Sequence, residues 1–309
     1  MKIKNCQAEI QYNIHGNKGD WLIIANAPGM TNKFFAPIIK ILEDKFKIII
    51  WHYRGISPSN DIEDKNQLKV TFHSDDLHKI CSSNYIEKAH FMGWCIGPKV
   101  LMDFYLKYPD MCRTFTLLNF SYNVFDDWDE VTSFDKSVKS VAKILKKNPK
   151  MGKNLIKLII EMQEANFESI IDIIDDMDSK EEILDLISNL DEQSNISDLS
   201  LNKFKTDTDL INYFIIYNSF IDYYCLDIIK NIRVPTLLIS GGKDTWTPVR
   251  AIRRLNEMIP NSIYHNIETG SHYLLLEHPQ LVCNKFIEFM NIQSNIEEDN
   301  DHLKKKVLK

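Results

Sequence analysis

Cysteine is well suited to forming a covalent bond with an acyl carbon, and one of the six in this chain sits where such a bond can be made. Cys95 is the centre of Gly93-Trp94-Cys95-Ile96-Gly97-Pro98. An apolar run from Ile86 to Met92 precedes it, and Val100, Leu101, Phe104, Tyr105 and Tyr108 follow at helical spacing up to Pro109. The order reads as strand, sharp turn, helix. Gly93 and Gly97 let the two elements crowd together, which holds Cys95 in a strained backbone conformation with its side chain pushed outward. At a helix N-terminus the free N–H groups and the helix dipole favour an anion, and a thiol there is readily ionised beside a base. The N–H of Ile96 is placed to form one arm of an oxyanion hole. A buried structural cysteine would show the same local sequence. What separates the two readings is whether the chain also supplies a base and a group to orient it.

Asp244 and His272 meet that requirement. Asp244 follows the apolar stretch Val234 to Ser240 by way of Gly241-Gly242-Lys243. His272 follows the strand Ser262 to Ile267 by way of Glu268-Thr269-Gly270-Ser271. Both belong at the sheet edge where Cys95 emerges. The rival acids are Asp126 and Asp127, beyond the strand Thr114 to Asn119. The rival bases are His265, inside a strand, and His278, ahead of Pro279. Asp244 could instead cap the helix beginning near Val249, but Thr247, just before Pro248, suits that role better. Trp94 and Trp246 flank the site in sequence and are candidates for the substrate-binding wall.

The elements that must position these residues alternate. Cys6 to His15 reads as two short antiparallel strands, with a tight turn at Gly16 to Gly19. The strand Trp21 to Asn26, a helix from Phe34 to Lys45 and the strand Phe46 to Trp51 follow. A helix near Ser74 to Cys81, the Cys95 turn and the strand Thr114 to Asn119 continue the alternation. It resumes at Val234 and closes with a helical region from Pro279 to Met290. Such alternation implies a mostly parallel sheet covered on both faces, an α/β class fold. Between Tyr122 and Ile229 no buried strand is evident, only helical runs such as Val138 to Leu145 and Asn154 to Glu164. The expected organisation is an α/β core from 1–121 and 230–293, a helical insertion over 122–229, and a flexible charged tail over 294–309.

At 309 residues, 44% hydrophobic and 26% charged, the chain has the composition of a globular domain with an insertion. No apolar run is long enough to span a membrane, and the N-terminus lacks a signal-peptide core. The scattered cysteines show neither disulfide nor zinc spacing, which fits free thiols in a cytoplasmic setting; no metal or cofactor is expected. The net charge of −6 argues against nucleic acid as a partner. The insertion holds 22 acidic residues against 11 lysines, so it carries −11 and leaves +5 for the remainder. Seven aromatic residues between Phe204 and Tyr224 argue that it is ordered.

Taken together, these stretches resemble the α/β-hydrolase family, with cysteine where serine is usual. Gly93 to Gly97 is similar to its nucleophile elbow, Pro28-Gly29 to its oxyanion loop, and Arg54-Gly55-Ile56-Ser57-Pro58-Ser59 to its R-G-x-G-x-S turn, with Ser57 at the second glycine. Gly241 to Asp244 and Gly270 to His272 resemble its acid and base loops, in the family's order of nucleophile, acid, histidine. The resemblance implies an α/β-hydrolase fold with a helical cap at 122–229 and a Cys95–His272–Asp244 triad. It also implies an oxyanion hole built from the N–H groups of Ala27 and Ile96. Ala25-Asn26 departs from the usual His-Gly ahead of the oxyanion residue. A cysteine acyl-enzyme is a thioester, so the first functional expectation is thioesterase-like acyl transfer or hydrolysis. Its substrate would be a small acyl compound, presented by coenzyme A or a carrier protein or taken up free. Hydrolysis of a plain ester, lactone or C–C bond is the second expectation, and a catalytically idle relative that binds a small ligand is the third.

Overall fold

The computed structural model describes residues 1–59, 62–120, 124, 207–244 and 246–307. A hairpin of β1 (Lys2–Asn5) and β2 (Ala8–His15) leads into β3 (Trp21–Ala25), α1 (Ala36–Leu42), β4 (Lys47–Trp51) and α2 (Val70–Ser83). β5 (Ala89–Trp94), α3 (Pro98–Lys107) and β6 (Cys112–Leu118) follow. Past residue 206 come α4 (Asp207–Asp222), α5 (Leu226–Lys230), β7 (Thr236–Gly241), α6 (Val249–Met258), β8 (Ser262–Ile267), α7 (Leu274–Glu277) and α8 (Pro279–Val307).

The eight strands form one sheet in the order β1-β2-β4-β3-β5-β6-β7-β8. β1 and β2 are antiparallel, and every pairing from β4 to β8 is parallel. The parallel strands are apolar on both faces because helices cover both. Leu22, Ile23 and Ile24, Ile48 to Ile50, and Leu237 to Ile239 are all fully buried. The chain leaves β3 toward β4 on one side and returns to β5 on the other. That reversal opens a crevice at the C-terminal strand ends, where ligands bind in open α/β sheets. Register levels those ends: Ala25 pairs with Gly93, Trp94 with Leu118, and Leu118 with Ile239.

One expectation is corrected. The N-terminal hairpin starts earlier than expected, because the turn falls at Cys6, whose φ is +53°. The α8 backbone is helical from Pro279 to Val307 and so runs into the expected tail. The expected helices at 138–145 and 154–164, with Asp126 and Asp127, lie outside the described residues.

The described part of the expected cap is chiefly α4, and it is fastened to the core. Phe214, Ile216, Tyr217 and Phe220 are buried against it. Asp209 accepts hydrogen bonds from Ser57 N (2.9 Å) and Ser57 Oγ (3.0 Å), and Asn212 donates to Gly55 O (2.6 Å). The fully buried Lys99 of α3 donates to the carbonyls of Ile221 and Tyr223 (3.3 and 3.1 Å), a cation at a helix C-terminus. α4 is therefore a fixed wall. Among the described residues no helix is long and apolar enough to cross a membrane.

Candidate active site

Cys95 stands at the end of β5 with φ +57°, in the left-handed region that costs a side-chain-bearing residue free energy. Its backbone N–H donates to Leu118 O (3.0 Å), which ties the turn to β6. The turn closes because Gly97 has no side chain: a Cβ there would lie 2.6 Å from the carbonyl oxygens of both Ala25 and Asn26. Among the described residues no acceptor takes the N–H of Ile96, so that donor is open beside the sulfur.

The acid and base loops meet as their positions at the strand ends require. His272 Nδ1 and Asp244 Oδ2 are 2.8 Å apart, and both side chains are essentially buried. The Asp244 carboxylate also accepts from Trp246 N (2.7 Å), Thr247 N (2.9 Å) and the Thr247 hydroxyl. Thr247 thus braces the acid, and Pro248 holds the N-cap position of α6 without a side-chain cap. Burial works against a charged His272, but the charges of Asp244 and Cys95 and the contacts with both outweigh it and raise the imidazole to about 10. Among the described residues His272 Nε2 has no well-aligned hydrogen-bond partner, so it is left for the thiol and its substrate.

His265 and His278 lie apart from this group. His265 lies on the edge strand β8, and His278 pairs with Thr269 Oγ1 at 3.2 Å. The tryptophans differ in role. Trp246 stacks on the His272 ring at 4.9 Å and 15° and is only half-buried, which suits a site wall. Trp94 is 2% exposed, and its indole N–H donates to His272 O (2.9 Å), so it supports the base loop from within.

Three groups were given no role by the sequence reading. Asn119, fully buried at the end of β6 with φ +47°, accepts from Gly241 N (2.8 Å). It also donates to the carbonyls of Ser271 (3.2 Å) and His272 (2.9 Å), clamping acid and base loops together. An asparagine just past a strand end tolerates the left-handed backbone, and that was its only visible signal. Tyr53, Tyr213 and Tyr273 lie near enough to Cys95 to feel its charge. Burial raises all three phenols above the ordinary range and the charge of Cys95 adds to it, so they remain protonated. Tyr213 reaches in from α4, its ring lying over Gly29, where φ is +90° and a Cβ would come within 2.5 Å of the ring.

The third is Asn26. Its carbonyl oxygen Oδ1 accepts from the N–H of Ala27 (2.8 Å), the expected second oxyanion donor, so that donor is engaged within the protein. The R-G-x-G-x-S-like turn acts as scaffold. Arg54 is fully buried and bidentate to Asp76 (2.8 and 2.5 Å), and Ser57 is held by Asp209. Among the described residues no group of three or more His, Cys, Asp or Glu side chains could hold a metal.

A thiol, an imidazole with one free nitrogen, a carboxylate behind it and an open N–H beside the sulfur can carry out nucleophilic substitution at an acyl carbon. No family model matches the chain. It is 22% identical over 267 residues to RutD of Azorhizobium caulinodans, which carries the name of a carbamate hydrolase; the match covers 86% of this chain and 88% of that protein. RutD of Agrobacterium fabrum matches at 25% over 113 residues, which is 36% of this chain and 43% of that protein. Among solved structures, MGS-M2, an α/β-hydrolase enzyme from a Medee basin deep-sea metagenome library, superposes with a TM-score of 0.70 at 19% identity, covering 94% of this chain and 97% of its own. The enol-lactonase of Burkholderia xenovorans LB400 superposes with a TM-score of 0.65 at 16% identity, covering 94% and 100%. The fold is the α/β-hydrolase fold.

Proposed function

We propose that this chain is an enzyme that hydrolyses a small carboxylic ester or lactone through an acyl-enzyme on Cys95. The observation that carries the reading is the buried Asp244–His272 pair at 2.8 Å, set against a left-handed Cys95 at the sheet edge. The Cys95 sulfur attacks the acyl carbon while its proton resides on His272 Nε2. A C–S bond forms, and the carbonyl π pair moves onto oxygen, facing the N–H of Ile96. The intermediate collapses as His272 returns the proton to the leaving alkoxide. Water then attacks the thioester, giving its proton to His272, and the C–S bond breaks to release the acid and restore the thiol. Asp244 holds the imidazole in the tautomer that presents Nε2 and stabilises its charged form.

Acyl transfer from a thioester was the first expectation from sequence, and presentation by coenzyme A or a carrier protein belongs with it. The named activities of the similar proteins, carbamate hydrolysis and enol-lactone hydrolysis, support plain hydrolysis instead. The paired acid and base speak against an idle ligand binder. The test is turnover of a panel of aryl esters and lactones by the full chain and by Cys95→Ala, with and without added amines and thiols. The proposal expects release of free acid, lost in Cys95→Ala and unaffected by the acceptors. Acyl groups found on the acceptors would establish transfer, and turnover retained in Cys95→Ala would remove Cys95 from the mechanism.

A further inference from the structure

The oxyanion loop carries a feature that the family resemblance does not imply. Where the family pattern this loop resembles usually has glycine, this chain has Asn26, 3% exposed, and its carboxamide is used on both sides. Oδ1 accepts from Ala27 N (2.8 Å), and Nδ2 donates to the carbonyls of Met30 (3.1 Å) and Thr31 (3.2 Å). These partners fix the orientation of the amide: an N–H requires the oxygen, and two carbonyls require the NH₂. The backbone of the same residue is held independently, since Tyr53 Oη donates to Asn26 O (2.5 Å) and Gly97 packs against that carbonyl. The backbone of Asn26 thus holds the course of the loop independently of the bonds made by its side chain.

A carbonyl oxygen on the Ala27 N–H is chemically the same occupant as a substrate carbonyl. We propose that Asn26 is a positioning residue whose side-chain carbonyl holds the second oxyanion donor in the resting enzyme and is displaced by the acyl carbonyl of the substrate. This rests on Cys95 being the nucleophile. With one donor, Ile96 N–H, already open, the developing oxyanion would recruit the second only by breaking a hydrogen bond within the protein. Removing the Asn26 side chain should therefore strengthen oxyanion binding by about two- to twelvefold, the range set by the net worth of one hydrogen bond. A purely structural brace has the opposite sign: losing its bonds to Met30 O and Thr31 O would loosen the loop and weaken binding.

The experiment compares two reagents on wild type, Asn26→Ala and Asn26→Gly. An aryl trifluoromethyl ketone adds the Cys95 sulfur to its carbonyl, forming a C–S bond and an alkoxide in the oxyanion hole while the thiol proton stays on His272. Iodoacetamide alkylates the same sulfur, expels iodide and creates no oxyanion. The proposal expects tighter ketone binding in both variants with unchanged alkylation of Cys95. In the wild type it expects the Ala27 amide and the Asn26 side-chain NH₂ resonances to shift on ketone addition. Weaker or unchanged ketone binding with alkylation intact would overturn it. So would an Ala27 amide indifferent to the adduct, a result that stands even if neither variant folds. Failure of both reagents to modify wild-type Cys95 would instead overturn the nucleophile assignment, and this inference with it.

Discussion

Asn119 offers a quantitative test of how the site is assembled, because one buried side chain joins the nucleophile strand's neighbour to both catalytic loops. Asn119→Ala removes one hydrogen bond from Gly241 N and two to the carbonyls of Ser271 and His272. Three bonds at about 1 kcal/mol net each, with at least one buried donor left unmet, give a destabilisation of about 3–5 kcal/mol. Backbone strain adds to this, since φ is +47° and alanine resists the left-handed region. Asn119→Gly should recover about 1 kcal/mol of it while losing the same bonds. Freed from the clamp, the His272 loop moves relative to Cys95, and a displacement near 1 Å lowers turnover about 10²-fold. Urea denaturation measures the first effect, and ester turnover by the folded fraction at low temperature measures the second. Losses under about 1 kcal/mol with turnover within twofold of wild type, in both variants, would refute the clamp.

Limiting iodoacetamide should label Cys95 first. Burial pushes the thiols of Cys81, Cys225 and Cys283 up to about 12, 11 and 12 and raises Cys112 further, which leaves exposed Cys6 as the competitor; peptide mapping after brief labelling reads the order. Asp244→Asn keeps an oxygen for the N–H groups of Trp246 and Thr247 but presents the wrong partner to His272, so turnover should fall by up to about 10⁴-fold with a far smaller change in melting temperature. Burial holds His73 at about 3, down from 6.5, with Arg54 adding to the effect. The stability it contributes is present above 6.5 and lost as pH falls toward 3, so His73→Phe should flatten the decline in melting temperature over that window.

The sequence made the strand ends readable because each reports its own physics. The buried parallel strands are continuous apolar runs. Gly97 is required by backbone contact, and Asp244 and His272 each follow a strand directly. What escaped it depends on partners distant in sequence. Lys99 looks like an ordinary surface residue of α3, and only the carbonyls at the end of α4, more than 120 positions on, explain its burial. Asn119 finds its partners 122 to 153 positions away. The bond from the Trp94 indole to the carbonyl of His272, 178 positions on, has no signal in the sequence around either residue. Thr247 looked like a cap because its sequence neighbourhood fits one; the nearer claim on its hydroxyl is the Asp244 carboxylate.

The central claim is that Cys95 carries the acyl group. The direct measurement is intact-protein mass after rapid mixing with an activated aryl ester and acid quench, followed by peptide mapping. His272→Ala serves as the variant in which water is poorly activated. The account predicts a single acyl mass on the peptide containing Cys95, transient in the wild type, longer-lived once formed in the variant, and absent in Cys95→Ala. Acylation of another residue, or ester turnover by Cys95→Ala at the wild-type rate, would contradict it.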